Sequence, residues 1–360
     1  MKILILANSD LGLYKFRKEL IEVLISQGHD VLISLPDGDF IKSLEKIGCT
    51  FIDTPIDRRG INPKADIILL KQYRKIIREE CPDYIITYTI KPNVYGGIAA
   101  QLEKKPYAEN ITGLGTAFEK TGILKTIAII LYRIALKNSN VVFFENDSNR
   151  DEMLSYKCCS KEKTVVLSGA GVNIDAFGYQ PYPTNDNVRF LFIGRVMKEK
   201  GIDELFEAMK RLVADGNKCF LDVVGPFEED YGKKLEMYED AGWLKYHGYQ
   251  EDVRPFIASC DCFVLPSYHE GMANTILECA SSGRPIITSN IPGCKEAVND
   301  GKSGFLCKPK DVESLALCMK KLISFQRKDR EEMGALGRRI IVEAFDKRKV
   351  VDETIKALFG

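Results

Sequence analysis

CFVLPSYHEGMANTILE, residues 262–278, opens as a short apolar run, turns at Pro-Ser, and resumes with apolar letters three and four apart. Its first part reads as a strand and its last as a helix. Glu270 then sits where the strand ends and Glu278 inside the helix that follows. Backbone N–H groups at a helix start lack intrahelical partners and attract anions. A carboxylate beside them suits a grip on a polar ligand such as a sugar. The two glutamates are eight residues apart, which at about 100° per residue leaves them about 80° from eclipsed. They are offset along the helix start, as for holding two parts of one elongated ligand. A plainer account makes Glu278 an exposed helix residue and Glu270 a first-turn charge complementing the helix dipole. Gly271, which admits a close ligand, and the preceding strand favour the binding account.

The same strand-to-helix step occurs upstream, where FLFIGR (190–195) leads into GRVMKEKG (194–201). A diphosphate needs several positive donors, and Arg195 offers a planar fork while Lys200 offers a compact charge. Gly194 and Gly201 let the backbone approach closely. Alone, the segment also reads as a solvated turn. Two cations, a strand-to-helix turn and two carboxylates together suggest a sugar-nucleotide site.

Around these segments, short apolar runs alternate with amphipathic stretches. KILILANS (2–9), DVLISLP (30–36), TFIDTPI (50–56), DYIITYT (83–89), YAENITG (107–113), NVVFFEN (140–146) and KTVVLSG (163–169) read as strands, with helices near 14–28, 39–48, 64–80, 92–104, 121–138 and 147–157. The pattern restarts with FLFIGR, CFLDVVG (219–225), LKYHGY (244–249), CFVLPSY (262–268), PIITSN (285–290) and GFLCKP (304–309). Such alternation implies parallel sheets covered on both faces. GYQPYPTNDN (178–187), polar and with two prolines, reads as the linker between them. The expected fold is α/β, two Rossmann-like doubly wound domains, 1–175 and 176–345, with a final helix, 346–360, returning to the first. Such sheets bind ligands at the carboxyl ends of their strands, and every segment singled out lies at such an end.

The 360-residue length favours two domains, and 45% hydrophobic with 28% charged residues is ordinary for a soluble globular chain. A net charge of 0 gives no electrostatic reason to expect nucleic acid. The Lys2–Ala7 start is too short for a signal peptide and no run reaches membrane-spanning length. Eleven cysteines without a CxxC pair, and three histidines, read as reduced thiols of a cytoplasmic protein with no metal site.

ANSDLGLYKFR (7–17) is the first strand-to-helix turn. Its single Gly12 is no dinucleotide fingerprint. Tyr14, Phe16 and Arg17 are candidates to face a cleft, Tyr14 and Arg17 as acceptor-binding residues. TYTIKPNVYGG (87–97) and NITGLGTAFEK (110–120) follow first-sheet strands and hold glycine pairs suited to a loop passing near a ligand. Lys91, Asn93, Thr112 and Glu119 are their acceptor-side candidates, with ordinary loop polarity as the alternative. His29 reads as structural, His247 as either near a base or buried, and His269 as shaping the turn beside Glu270. Asp37-Gly38-Asp39 reads as turn chemistry at a helix start rather than a metal ligand set. GILKTIAIILYRIALKNSN (122–140) is apolar with Lys125, Arg133 and Lys137 as its only charges. It fits a buried helix on the sheet or a basic helix on an anionic bilayer.

Taken together, these segments resemble glycosyltransferase family 4, retaining enzymes of the GT-B fold, over the whole chain. EGMANTILE resembles the family's E-x7-E signature, GRVMKEKG its diphosphate-gripping segment and GAGVNIDAF (169–177) its inter-domain entry; CDCFVLPS and GKSGFLCKP also fit. TYTIKPNVYGG with NITGLG points to the bacterial capsule, O-antigen and undecaprenyl-diphosphate-sugar branch. The resemblance implies two domains facing a central cleft and transfer of a hexose or N-acetylhexosamine from a UDP-sugar to a lipid-linked saccharide. It implies no metal or other cofactor, and an enzyme at the cytoplasmic face of the inner membrane. By the same resemblance Arg195 and Lys200 hold the donor diphosphate and Glu270 stabilises positive charge at the sugar. Gly271, Met272, Ala273 and Asn274 bind sugar hydroxyls or phosphate through their backbone, Thr275 lies near the phosphates and Glu278 takes the ribose. Gly12 approaches the phosphate from the other domain, and Gly225 and Tyr249 lie near the base. The chain departs from the family in lacking a histidine at the first-domain strand ends, where Ile90, Asn110 and Thr112 stand, and in having EGMA for EGFP. Without a protein nucleophile, retention implies a front-face route. A nucleotide-sugar epimerase or phosphorylase on the same fold, or a non-catalytic sugar-nucleotide scaffold, are the rival expectations.

Overall fold

The computed structural model describes residues 1–57, 62–115, 118 and 122–360. They form two compact units, Met1–Ala170 with Arg348–Gly360, and Gly171–Lys347.

The first unit is built on a parallel sheet of seven strands: β1 (Lys2–Leu6), β2 (Asp30–Leu35), β3 (Thr50–Asp53), β4 (Tyr84–Tyr88), β5 (Tyr107–Ile111), β6 (Val141–Phe144) and β7 (Thr164–Val166), in the order β3-β2-β1-β4-β5-β6-β7. Near-continuous apolar runs suit strands covered on both faces. Ile3 and Ile5 pack with Leu13, Leu20 and Leu24 of the helix Asp10–Ser26, while Leu4 and Leu6 pack oppositely with Tyr73, Ile76 and Ile77 of the helix Pro63–Glu80.

The second unit holds β8 (Val188–Ile193), β9 (Cys219–Val224), β10 (Leu244–Tyr246), β11 (Cys262–Leu265), β12 (Ile286–Ser289) and β13 (Gly304–Cys307), all parallel, in the order β10-β9-β8-β11-β12-β13. Its core gathers Phe190, Phe192, Phe206, Phe263 and Trp243. The strand order reverses between β1 and β4 in one sheet and between β8 and β11 in the other. Loops leaving the two strands at such a point open a crevice between them. The loops after β8 and β11 carry GRVMKEKG and the start of EGMANTILE.

The chain passes between units at Ala170–Gly171 and again at Lys347–Arg348. On the second unit's side the two passages are tied, Val172 N–H donating to Phe345 O at 2.8 Å and Lys347 N–H to Val172 O at 3.0 Å. Segment 178–187 is therefore not the linker. It is a strap held on the second unit by two arginines, with a third just before it. Arg284, fully buried, donates to the carbonyls of Gln180, Pro181, Gly283, Ile257 and Ala258. Arg327 donates to those of Tyr182 and Pro183, and Arg338 to that of Phe177 just before the strap. Tyr182 is buried and its hydroxyl donates to Asp261 O at 2.6 Å. Irregular backbone has no ladder to satisfy its carbonyls, so side chains do it.

The apolar helix of residues 122–140 spans Ile123–Leu136 and buries only Tyr132, Ala135 and Leu136 fully. Ile123 is 80% exposed, and Leu124, Ile127, Ile130 and Ile134 are 47–48% exposed. No helix among the described residues is long and apolar enough to cross a membrane.

Candidate active site

The loops after β8 and β11 meet through glycine. Gly201 has a left-handed φ of 71°, and a Cβ there would overlap the Pro266 carbonyl. The contact sets Lys200, at the end of the 3-10 turn Lys198–Lys200, against the segment that carries Glu270. Lys200 Nζ lies 2.5 Å from Glu270 Oε1, and the fully buried Ser267 donates its hydroxyl to the same oxygen at 2.7 Å. No hydrogen bond to Glu270 Oε2 is made among the described residues. The pair is only 19% and 12% exposed, so water screens it less than a surface pair.

Tyr268 bolts this loop down, its N–H donating to Glu199 O at 2.9 Å and its hydroxyl to Glu204 Oε1 at 2.6 Å. Burial, then the Glu204 carboxylate, push the Tyr268 hydroxyl well above the usual range, so it stays a donor. Gly293, φ 83°, supports the loop from beneath: a Cβ there would overlap the carbonyls of Gly271 and Glu270, and its own carbonyl accepts from Ala273 N–H at 2.9 Å.

Glu270 and Gly271 lead into the helix Asn274–Ser281, which starts without a side-chain cap. Among the described residues its first N–H groups meet no capping side chain, as at an anion-binding helix start. Asn274 Oδ1 is buried and has no hydrogen-bond partner among the described residues. Met272 and Ala273 are buried, while Gly271, Thr275 and Glu278 are half-buried.

Arg195 does not join the Lys200–Glu270 pair. It is 47% exposed and bonds Glu228 of the β9 loop at 3.2 Å, while the neighbouring Glu229 accepts from Lys198 N–H at 2.8 Å. That loop touches the β8 loop at Gly225, φ 140°, whose Cβ would overlap the Gly194 carbonyl. Gly225 N–H donates to Gly248 O at 2.8 Å, one residue before the exposed Tyr249. Phe227, also exposed, stacks on Tyr246 at 4.7 Å. His247 is half-buried, with Nε2 2.8 Å from Asp222 Oδ1, where Arg189 also forks.

First-unit candidates divide. Gly12 lies in the first helical turn rather than the connecting turn, with its N–H bonded to the Ser9 hydroxyl at 3.2 Å. Tyr14 stacks on Phe40 at 5.2 Å. Arg17 pairs with Glu145 at 2.8 Å and lies 4.8 Å from the Tyr88 ring centre. Lys91 is held by Asp66 at 2.9 Å. Asn93 is buried and ties the sheet, accepting from the Thr87 hydroxyl at 2.7 Å and donating to Asn110 O at 2.8 Å, which corrects its place among acceptor contacts. Thr112 is half-buried just past β5. Glu119 lies outside the described residues. Asp10 holds the PDGD turn by accepting from Phe40 N–H at 2.9 Å. Ser267, Gly293, Glu228 and Phe227 join the candidate site without a signal in the sequence to single them out, since each sits in a stretch that reads as a plain turn.

Residues 180–340 match the model of glycosyl transferases group 1, and residues 2–146 that of the glycosyl transferase 4-like family. The chain is 26% identical to the N,N'-diacetylbacillosaminyl-diphospho-undecaprenol alpha-1,3-N-acetylgalactosaminyltransferase of Campylobacter jejuni, over 88% of each chain. It is 26% identical to the UDP-Gal:alpha-D-GlcNAc-diphosphoundecaprenol alpha-1,3-galactosyltransferase of Escherichia coli, over 84% of this chain and 82% of that one. Among solved structures, Anabaena HepE in complex with UDP and glucose superposes with a TM-score of 0.80 at 20% identity, over 99% of each chain.

Proposed function

We propose, from the premise that this chain belongs to the GT-B glycosyltransferases, that it transfers a hexose or N-acetylhexosamine from a UDP-sugar, with retention, to an undecaprenyl-diphosphate-linked saccharide in capsule, O-antigen or related glycan assembly. The observation that carries this reading is the Lys200–Glu270 pair beside an uncapped helix start at the strand-order reversal. As the sugar leaves its nucleotide, positive charge grows at the anomeric carbon and negative charge on the diphosphate. Fixed charges aimed at both lower the barrier, and removal of one such group typically costs about 10²–10³ in rate. Lys200 and the helix N–H groups serve the phosphate, with Arg195 added once it exchanges Glu228 for the ligand. Glu270 serves the sugar through Oε2. The bond from the anomeric carbon to UDP breaks as the bond to the acceptor oxygen forms on the same face, and the acceptor proton passes to the departing phosphate oxygen. Lys200 and Arg195 neutralise the diphosphate, so this route calls for no metal ion.

The lipid-linked acceptor places the enzyme at the inner-membrane surface. The exposed stripe Ile123, Leu124, Ile127, Ile130 and Ile134 suits the plane of an anionic bilayer. Flotation with anionic vesicles checks this: the protein rises with the vesicles, and Ile127→Lys with Ile130→Lys does not. For transfer itself, UDP-sugars are screened against undecaprenyl-diphosphate N-acetylhexosamine by mass spectrometry. The expected result is a lipid one sugar heavier that Lys200→Ala and Glu270→Ala fail to form. Undiminished transfer by both variants overturns the assignment, and epimer formation without acceptor overturns the reaction class.

A further inference from the structure

The loop after β8 carries Arg195 and Lys200, and each rests on a carboxylate. Lys200 meets Glu270 at 2.5 Å, with side chains 19% and 12% exposed. Arg195 meets Glu228 at 3.2 Å through the single nitrogen Nη1, with side chains 47% and 26% exposed. The second contact is the looser. A charge-assisted N–H···O bond normally closes to about 2.7–2.9 Å, and arginine grips a carboxylate best with two nitrogens. Arg189 does so in the same unit, forking onto Asp222 with Nη2 at 2.7 Å and 2.9 Å and Nε at 3.1 Å. Water also screens the exposed pair more than the sheltered Lys200–Glu270 pair. Of the two contacts, Arg195–Glu228 is the one that a diphosphate can take over.

The backbone around it is fixed, so the exchange needs only side chains to turn. Val196 N–H donates to Pro226 O at 2.9 Å, and Glu228 N–H returns to Val196 O at 3.2 Å. Val196 and Phe227 pair as an isolated parallel bridge. Lys198 N–H donates to Glu229 Oε2 at 2.8 Å, so the carboxylate beside Glu228 ties the same two loops without Arg195. Gly225 presses on the Gly194 carbonyl at the other end of the contact. The two loops stay laced when Arg195 lets Glu228 go.

We propose that Glu228 is a positioning residue that holds Arg195 in the empty enzyme, competes with the diphosphate for it, and so hastens release of the nucleoside diphosphate product. This rests on the glycosyl-transfer reading, in which Arg195 neutralises the leaving UDP, and adds what takes Arg195 back as UDP departs. Arg195 has two demands to meet: it must offset the diphosphate charge during transfer and surrender it afterwards. A carboxylate on the neighbouring loop serves both. It lowers the affinity of a diphosphate by the strength of the pair that binding breaks, and it gives the departing guanidinium a partner. A Glu228 that instead touched the ligand would act with the opposite sign, its removal weakening UDP.

Calorimetric titration of UDP into the full chain at low ionic strength tests this. Glu228→Gln should bind UDP about threefold more tightly than wild type, the modest gain expected from an exposed pair. Its melting temperature should be unchanged, and the gain should fade at high salt. In an Arg195→Ala background the same substitution should gain nothing, because the contact it relieves is already gone. Glu229→Gln, one residue on, should not tighten UDP. A purely structural Glu228 predicts lower melting with equal or weaker UDP binding. Unchanged or weaker binding by Glu228→Gln, a gain that survives without Arg195, or an equal gain in Glu229→Gln overturns the proposal and leaves the transfer reading standing. A wild type that takes up no UDP overturns the sugar-nucleotide reading and the proposal with it.

Discussion

The Glu270 carboxylate is aimed by a neighbour rather than by itself. Both Lys200 and Ser267 hold Oε1, while Oε2 takes no hydrogen bond among the described residues. A hydrogen bond to a charged group contributes about 1.5–3 kcal/mol. Ser267→Ala is therefore expected to lower kcat by about 10- to 100-fold through a loosened carboxylate, with UDP affinity, measured by calorimetry, unchanged. A matching loss of UDP affinity would mean that the serine only holds the loop. Glu109 gives a second prediction. It is fully buried in β5, neither carboxylate oxygen has a hydrogen-bond partner among the described residues, and burial raises its carboxyl well above the usual range. The unfolded chain ionises it near about 4.3. Above that pH the folded state keeps a proton that the unfolded state releases, so stability falls as pH rises until the folded pKa is reached. Glu109→Gln removes this slope. Urea denaturation should show the variant more stable than wild type at pH 8 and the gain gone at pH 4. Glu270 and Lys200 were readable from spacing because a strand end followed by glycine and a helix start is local. Asn93 was misread because a polar letter on a loop does not reveal whether it turns outward or, as here, into the sheet.

At the scale of elements, strands were the easiest to read. Buried parallel strands need near-continuous apolar runs, and those runs stand out between turns. The strap 178–187 shows the limit. Its prolines and polar letters announced irregular backbone correctly, but whether such backbone swings free or lies against a domain depends on distant partners. Here they are Asp261, Arg284 and Arg327, all far along the chain. Tyr182 ties strap to sheet through one buried hydroxyl bond at 2.6 Å. Tyr182→Phe leaves the Asp261 carbonyl without that donor and should destabilise the second unit by about 1–2 kcal/mol. Urea melts followed by the single Trp243, which lies in that unit's core, check the value. A change below about 0.5 kcal/mol would mean that the arginines hold the strap without it.

The whole molecule is one chain that enters the second unit at Gly171 and returns to the first at Arg348. The last helix, Lys347–Phe359, has an amphipathic pattern, but periodicity alone does not say which of two sheets it covers. In the structure Val350, Val351 and Leu358 are buried in the core that holds Ile3, Ile5 and Leu24. Phe359 packs against Tyr84 and His29, each with ring centres 5.6 Å apart. Burying an aliphatic side chain stabilises by about 1.5–3 kcal/mol, so deleting residues 348–360 should cost the first unit about 5 kcal/mol. The second unit keeps the whole of its own core and its passage bonds between Val172, Phe345 and Lys347. Hydrogen exchange read by mass spectrometry separates the two. Peptides from residues 1–170 of the truncated chain should exchange much faster than in the full chain, and those from 171–347 at their original rate. Equal acceleration in both sets would mean that the two units unfold as one, and that the final helix stabilises the enzyme globally rather than through the sheet it covers.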